Sequence, residues 1–453
     1  HYLCARTNFG KSMIRRTLSY FALLALPAAS LVDAQDAQHQ EHHWQPVVHI
    51  AHQEEIFPAP RPVPENQALT LHKVEQIALA NHPALNVAAA RVDAAHGRQL
   101  QAGLKPNPVI GYHATEVGNM GTAGVQGGFV SQRVITGKKL HLDQAIVGWE
   151  IDAAQFEFTV AEQRILSDVR VRFYDALVAQ RRVEITRELA RIGNDLVEAT
   201  QTLLRNRLGT ENDLLQAQIR ADQAQLLVDN ARNEQTEAWR RLAAVIAVPD
   251  MHQTPLAGEL DADLPQHNWE QCYAMVLQNH PQLGAAYARV ERAAVAIDRA
   301  HKENVPNVDL FVSLRHNNMT SDDVANVQVG LPIPIRNQNQ GAIHAAQSEW
   351  IVANQQARQI ELDLQDRLAV AWRRYANARQ QVDAYRQRIV PRSQRSLDLV
   401  RDGYEKRQVE YLTLLTAQQT YFEVNLAYLN SLRELWSSAM IIESQLLTGS
   451  LSP

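Results

Sequence analysis

Residues 306–314 read Pro-Asn-Val-Asp-Leu-Phe-Val-Ser-Leu, and from Val308 onward every second residue is aliphatic. A period of two is typical of a β-strand with one apolar face. Residues 325–334 repeat the alternation, with aliphatic side chains at 327, 329, 331 and 333. The two stretches predict a pair of strands at about 307–316 and 325–334. Each is close to the roughly ten residues with which a tilted strand crosses a bilayer.

The same strand pair is expected in the first half of the chain, because the sequence repeats itself about 200 residues apart. Three segments recur in order: Asn81-His82-Pro83 as 279–281, Pro106-Asn107 as 306–307, and 214–218, with one change, as 414–418. This spacing is far longer than the 20–50 residues of a solenoid repeat. The chain is therefore predicted to be a duplicated half-protein, with further strands at about 107–116 and 125–135.

Long helices are predicted after each strand pair. The chain has no proline between Pro108 and Pro249, and apolar residues from Ile185 to Leu203 recur at alternating steps of four and three. A sustained period of 3.5 residues indicates helices that supercoil around one another. The sequence thus predicts antiparallel helical hairpins at about 139–248 and 339–446. A single helix over 139–205 would be roughly 100 Å long.

The expected domain organisation is a first repeat at 69–250, a second repeat at 268–446 and a tail at 447–453. Residues 13–34 combine a basic start with an apolar run, the pattern of a secretory signal peptide. The run is about 15 residues, shorter than the ~20 of a spanning helix, which favours export over a membrane anchor. Residues 35–68 form a histidine- and proline-rich linker. His39, His42 and His43 are weak metal-binding candidates there, and a plain solvated linker is the alternative.

Four strands in one chain cannot close a membrane sheet. The smallest membrane barrels have about eight strands, and an open sheet edge in lipid leaves backbone groups without hydrogen bonds. Three chains would supply twelve strands and a ring of helical columns. The predicted fold class is therefore mainly α with membrane β, with long antiparallel coiled-coil helices and four strands per chain that several chains must pool to close a sheet.

Composition and motifs exclude several other classes of protein. The formal net charge of −5 gives no electrostatic basis for binding nucleic acid, and the two cysteines, Cys4 and Cys272, lack the spacing of a metal site or a disulfide framework. Catalytic motifs such as HExxH, GxSxG and the P-loop do not occur in the sequence. We therefore predict neither an enzyme nor a cofactor. The duplicated His82 and His280 precede helix-starting prolines and are interpreted as structural residues.

Over residues 69–446 the chain resembles the TolC-type outer membrane factors, which are the exit ducts of tripartite efflux pumps. The matching segments are 78–85 and 276–283 (an apolar run into Asn-x-Pro-x-Leu), Val390-Pro391, 396–399, Tyr404 and 414–418. The resemblance implies a homotrimer in the lipid of the outer membrane, in which four strands per chain complete a 12-stranded β-barrel and the coiled-coil helices form an α-barrel that extends into the periplasm. It also implies two protein partners, a periplasmic adaptor (membrane fusion) protein and an inner-membrane RND-type transporter.

The resemblance further suggests functional residues at the two helical hairpin turns. Candidate adaptor-docking residues are Arg205, Arg207, Leu208, Gly209, Thr210, Arg407, Gln408 and Val409. Candidate gate residues are Asp402, Tyr404, Glu405, Glu410, Thr413 and Thr416. The sequence departs from the family here, because Arg207 and Arg407 occupy positions where family members usually have glycine, which permits a positive φ.

The resulting prediction is an outer membrane channel that passively conducts substrate from the pump and adaptor to the exterior. The histidine-rich linker favours heavy-metal cations as the substrate, since imidazole binds copper, zinc and nickel. A drug-efflux or type I secretion exit duct is the alternative within the channel class. A periplasmic coiled-coil scaffold is the alternative without a pore, but it does not account for the four alternating strands.

Overall fold

The computed structural model describes residues 68–451, apart from Leu208 and Arg407. The predicted signal peptide at 13–34 lies outside the described residues, as do His39, His42 and His43 of the predicted linker.

Both halves of the chain have the same order of elements: two helices, two strands, one long helix and a returning helix. In the first half these are α1 Leu71–Asn81, α2 Pro83–Gly103, β1 Val109–Thr115, β2 Val125–Val134, α3 Lys139–Arg205 and α4 Glu211–Val245. In the second half they are α5 Trp269–Asn279, α6 Pro281–Lys302, β3 Val308–Asn317, β4 Asp322–Gly330, α7 Gln340–Ala384, α8 Val390–Glu405 and α9 Tyr411–Glu443. A π-helical turn, Tyr385–Ile389, joins α7 to α8, whereas α3 is continuous over 67 residues.

The duplicated histidines are helix caps. His82 lies between α1 and α2, where its Nδ1 accepts a hydrogen bond from the N–H of Ala84 at 3.2 Å. His280 lies between α5 and α6, and its Nδ1 accepts from the N–H of Gln282 at 3.1 Å. In each case a proline follows at the first helical position, where its missing N–H costs nothing. Both histidines therefore have the structural role that the sequence predicted.

The four strands form one antiparallel sheet in the order β1-β2-β3-β4. The prediction of a strand at 325–334 was wrong at both ends, because β4 spans Asp322–Gly330 and pairs Gly330 with Asp309. Beyond Gly330, Pro332 and Pro334 have no N–H to donate to a strand ladder, so the ladder ends there. The alternation itself continues, since Leu331, Ile333 and Ile335 are all exposed.

The main apolar core lies near the middle of α3 and includes residues from both halves of the chain. Ile165, Val169 and Phe173 of α3 are buried together with Leu364 of α7 and Leu435 of α9. Tyr174 stacks on Trp436 with ring centroids 4.2 Å apart, and such aromatic pairs contribute beyond their buried area. The core holds the two hairpins together and leaves the sheet at one end of the helices and the hairpin turns at the other.

Candidate functional site

One face of the sheet is apolar and exposed. The strand register places the following residues on this face: Ile110, Tyr112, Val130, Leu310, Val312, Leu314, Val327 and Val329. All eight are exposed in the single chain, and Val327 retains 73% of its accessible surface. A contiguous exposed apolar patch on this scale marks an interaction surface.

The opposite face of the sheet carries polar groups. Arg133 and Asp309 pair across β2 and β3 with an Nε–Oδ1 distance of 2.7 Å, and Ser313 and Asn326 lie on the same face. An apolar outer face that alternates with a polar inner face is the pattern of a membrane β-barrel around an aqueous lumen. Among the described residues, the helices include no segment long and apolar enough to cross a membrane.

The sheet has two edges, β1 and β4. An edge strand presents unpaired N–H and C=O groups, and in lipid each such group costs several kcal/mol. An apolar face directed at lipid is therefore compatible with this sheet only if both edges pair with further strands.

The turn between α3 and α4, here called the first tip (residues 206–210), is closed by a capping box. The Thr210 hydroxyl accepts from the N–H of Asp213 at 3.2 Å, and the Asp213 carboxylate accepts from the N–H of Thr210 at 3.0 Å. The hydrogen bonds to Thr210 lower the pKa of Asp213. Such reciprocal bonds satisfy helix-start donors that have no partner within the helix. They make the start of α4 well defined.

The first tip also explains the departure from the family's glycine. Arg207 has a φ of 60°, in the left-handed region that glycine adopts most readily. The positive φ that the resemblance implied is therefore present, and an arginine adopts it. Arg205 ends α3 and, like Arg207, is exposed, while Gly209 is half-buried. Leu208 lies outside the described residues.

The turn between α8 and α9, the second tip (residues 406–410), has a different cap. Glu410 occupies the position of Thr210, but its side chain makes no capping hydrogen bond. Thr413 occupies the position of Asp213. The second tip is stabilised instead by a backbone bond from the N–H of Gln408 to the Gly403 carbonyl, at 2.8 Å. The start of α9 therefore lacks the reciprocal bonds that fix the start of α4.

Two further contacts shape the second tip. Asp402 pairs with Lys406 one turn along the chain, with an Oδ2–Nζ distance of 2.6 Å. A Cβ on Gly403 would lie 2.6 Å from Cγ2 of Val409, which explains a glycine at this place. These two contacts fix the last turn of α8 against the turn residues.

The remaining gate candidates lie around this turn. Glu410, Thr413 and Thr416 are exposed, and the Thr416 hydroxyl donates to the Leu412 carbonyl at 2.8 Å. Of the predicted residues, Arg407 and the side chain of Glu405 lie outside what the structure describes.

Tyr404 of the second hairpin lies within electrostatic range of the first tip. Its side chain is half-buried, and its pKa is raised by burial and by the negative charge of Asp213. The charge of the first hairpin's cap therefore acts on a predicted gate residue of the second hairpin. Sequence reasoning missed Asp213 and Gly403, although the Thr-x-x-Asp spacing of a capping box is visible in the sequence.

The amphipathic sheet and the long helical hairpins define a class of protein: an outer membrane channel whose helices extend into the periplasm. The chain belongs to the outer membrane efflux protein family, whose profile matches residues 74–248 and 272–439. The two matched segments cover the two halves of the duplicated chain. The family and the fold are those of channel proteins.

Known relatives agree with this assignment. The chain is 22% identical over 383 residues to the cobalt-zinc-cadmium resistance protein CzcC of Cupriavidus metallidurans. The aligned region covers 83% of this chain and 89% of CzcC. Its fold resembles the outer-membrane channel OprN (16% identity, TM-score 0.68, 84% of this chain and 91% of OprN). It also resembles the outer membrane protein VceC of Vibrio cholerae (17% identity, TM-score 0.67, 83% and 96%). The predicted fold class, outer membrane location and efflux-channel function are confirmed.

Proposed function

We propose that this chain is the exit duct of a tripartite efflux system for divalent transition-metal cations. The observation that carries the proposal is the likeness to a cobalt-zinc-cadmium resistance protein over 89% of that relative's length. In this proposal the duct conducts passively, and a periplasmic adaptor together with an inner-membrane RND-type transporter supplies the cations and the energy.

The proposed assembly is a homotrimer. Three copies of the four-stranded sheet provide twelve strands, so that each β4 edge pairs with the β1 edge of the next copy. Closure removes both edges, and the apolar face is then covered by lipid. The exposed apolar face and the open edges support this assembly over a soluble coiled-coil scaffold, which would leave both in water.

The proposed gate is the second tip, and the proposed adaptor contacts are the exposed residues of both tips. The capping box at Thr210 and Asp213 makes the first tip the firmer of the two. The uncapped start of α9 needs less free energy to open, because a side-chain N-cap stabilises a helix start by about 1 kcal/mol. Adaptor docking would then shift the second tip from a closed to an open arrangement, carrying Asp402, Glu410 and Thr413 with it.

The test is genetic complementation in the host. We expect deletion of the chain to reduce tolerance to zinc, cobalt and cadmium, and the intact chain to restore it. Tolerance to dyes and drugs, and export of secreted proteins, measured in the same strains, separates metal efflux from the drug-efflux and secretion alternatives. Unchanged metal tolerance after deletion would refute the metal substrate. A variant lacking 35–68 tests separately whether the histidine-rich linker contributes.

A further inference from the structure

The internal duplication allows contacts within one chain to predict contacts between chains. We infer that one side of α4, the α4 outer stripe (Leu215, Ile219, Leu226, Asn230 and Asn233), docks on the α7–α8 face (Asp383, Ile389 and Leu399) of a second copy. This inference rests on the proposed trimer and names the residues that meet in it.

The template is the packing of α9 on α3 inside the chain. Asn430 accepts a hydrogen bond from Arg182 at 2.5 Å, and Arg433 pairs with Asp175 at 2.7 Å. The offset between the halves is 200 residues at the hairpin turns, where Leu214-Leu215 corresponds to Leu414-Leu415. Asn230 and Asn233 therefore correspond to Asn430 and Arg433. The side of α9 that contacts α3 has a counterpart on α4.

That counterpart is exposed. Leu215, Ile219 and Leu226 retain 51%, 56% and 63% of their accessible surface, although they are large apolar side chains. Their spacing of four and seven residues places them on one side of α4, opposite the buried Ala217, Ala221 and Ala224. At the matching positions of α9, Leu415 and Leu426 are half-buried. At two of the three positions, leucine is thus partly covered in one half of the chain and exposed in the other, while Ile219 corresponds to the exposed Gln419.

The α7–α8 face supplies the complementary surface. Tyr174 of α3 corresponds to Tyr375 of α7 at an offset of 201, so Asp383 corresponds to Arg182. From the end of the π-turn onward the offset is 200, so Ile389 and Leu399 correspond to Leu189 and Ala199. Ile389 is 37% exposed and Leu399 is 65% exposed. This face therefore offers apolar side chains to the leucines and isoleucine of the α4 outer stripe.

The charges also fit. Asn430 faces the positive Arg182, whereas Asn230 would face the negative Asp383 of the second copy. An asparagine amide can make both contacts, because its oxygen accepts and its NH₂ group donates. Asp383 is available for this contact: its side chain is 41% exposed, and it pairs with Arg379 at 3.1 Å.

A cavity marks the same place on α7. It has a volume of about 660 Å³ and is lined in part by Trp372, Tyr375 and Asp383. In the first half, Trp436 stacks on Tyr174, the counterpart of Tyr375. The counterpart of Trp436 is Thr236 of α4, which in the proposed contact comes from the second copy. The two docking surfaces differ, so the contact is head-to-tail and closes only as a ring.

Cross-linking tests the contact. We would introduce Asn230→Cys and Asp383→Cys together in a chain carrying Cys4→Ser and Cys272→Ser, and treat the outer-membrane protein with a short bis-maleimide. We expect covalent dimers and trimers on denaturing gels. The matched control, Arg182→Cys with Asn430→Cys, should consume its thiols and stay at the mass of one chain.

The outcomes separate this inference from the proposed assembly. If the native mass is that of a trimer but the Asn230→Cys, Asp383→Cys chain stays monomeric on the gel, the docking surface is wrong and the trimer stands. A monomeric native mass would refute both.

A charge variant gives a second readout. Asn230→Asp should weaken trimer association roughly two- to fivefold, since it opposes two carboxylates, and Asp383→Asn added to it should restore association. Asn430→Asp, which faces Arg182, should not weaken the trimer. An equal loss of trimer association in Asn230→Asp and Asn430→Asp would contradict the inference.

Discussion

Transfer of the capping box from the first tip to the second should make the channel harder to open. The double variant Glu410→Thr, Thr413→Asp recreates at the start of α9 the pair formed by Thr210 and Asp213, whose two bonds measure 3.2 and 3.0 Å. A side-chain N-cap is worth about 1 kcal/mol. The acidic charge that is lost at 410 is regained at 413, so the favourable interaction with the helix dipole is about unchanged and the net gain is about 1 kcal/mol. Opening that requires this turn to unwind should therefore become roughly fivefold rarer.

Two measurements check this prediction. Hydrogen exchange of the amides at 411–414 should slow by the same factor, and openings recorded in planar bilayers should become correspondingly rare. The control is Thr210→Ala with Asp213→Ala, which should speed exchange at 211–214 and leave exchange at 411–414 unchanged. Slower exchange with unchanged openings would show that the second tip is not the gate. Unchanged exchange would show that the grafted cap does not form.

Three further predictions follow from single residues. Burial lowers the pKa of His280 from 6.5 to about 4, so below about pH 6.5 the unfolded chain binds a proton at this residue, whereas the folded chain binds it only near pH 4. The corresponding contribution to the free energy of unfolding, about 3 kcal/mol, is present above pH 6.5 and is lost as the pH falls to 4. Urea unfolding of the wild type and of His280→Gln at pH 7 and 4.5 should therefore show a smaller change in stability with pH in the variant. Val327→Lys should make the free energy of insertion into the outer membrane less favourable by a few kcal/mol, because it places a charge on the face directed at lipid. Gln328→Lys, on the opposite face, should not. The membrane-inserted fraction measures both, and equal effects would contradict the assignment of the faces. Gly403→Ala should distort the second tip through its contact with Val409 and raise bilayer conductance, and an unchanged conductance would show that the turn accommodates the methyl group.

Much of the fold could be predicted because its signals are local. The alternation from Val308 to Leu314 determines both the strand and the face that it exposes, and the absence of proline after Pro108 allows α3 to run for 67 residues. The end of β4 was misjudged because side-chain alternation and ladder hydrogen bonds are separate properties. Pro332 and Pro334 interrupt the ladder of hydrogen bonds without interrupting the alternation of side chains.

The details of the tips could not be predicted in the same way. The close approach of Gly403 and Val409 depends on how the chain folds back within one turn. The effect of the Asp213 charge on the pKa of Tyr404 depends on how two hairpins some 190 residues apart pack together. A sequence pattern with a period of 2 or 3.5 carries no information about either feature. The capping box itself could have been predicted from the sequence, since Thr210 and Asp213 have the required spacing.

The duplication explains why the two halves can differ in function while they share one architecture. Segments that repeat closely, such as Asn-His-Pro before α2 and α6, make the same cap in both halves. Two of the differences between the halves bear on the proposals made above. Arg182 corresponds to Asp383, which in the proposed trimer faces a helix of another copy, and the Thr210–Asp213 cap has no counterpart at Glu410 and Thr413. In the proposed trimer, a ring of six similar units built from three chains would have two kinds of contact. Asn233 and Thr236 stand at the positions of Arg433 and Trp436, so the proposed contact between chains has no counterpart of the Arg433–Asp175 ion pair or of the Trp436–Tyr174 stack. We therefore expect the contacts between chains to be the weaker set, at which the wall of the channel separates first.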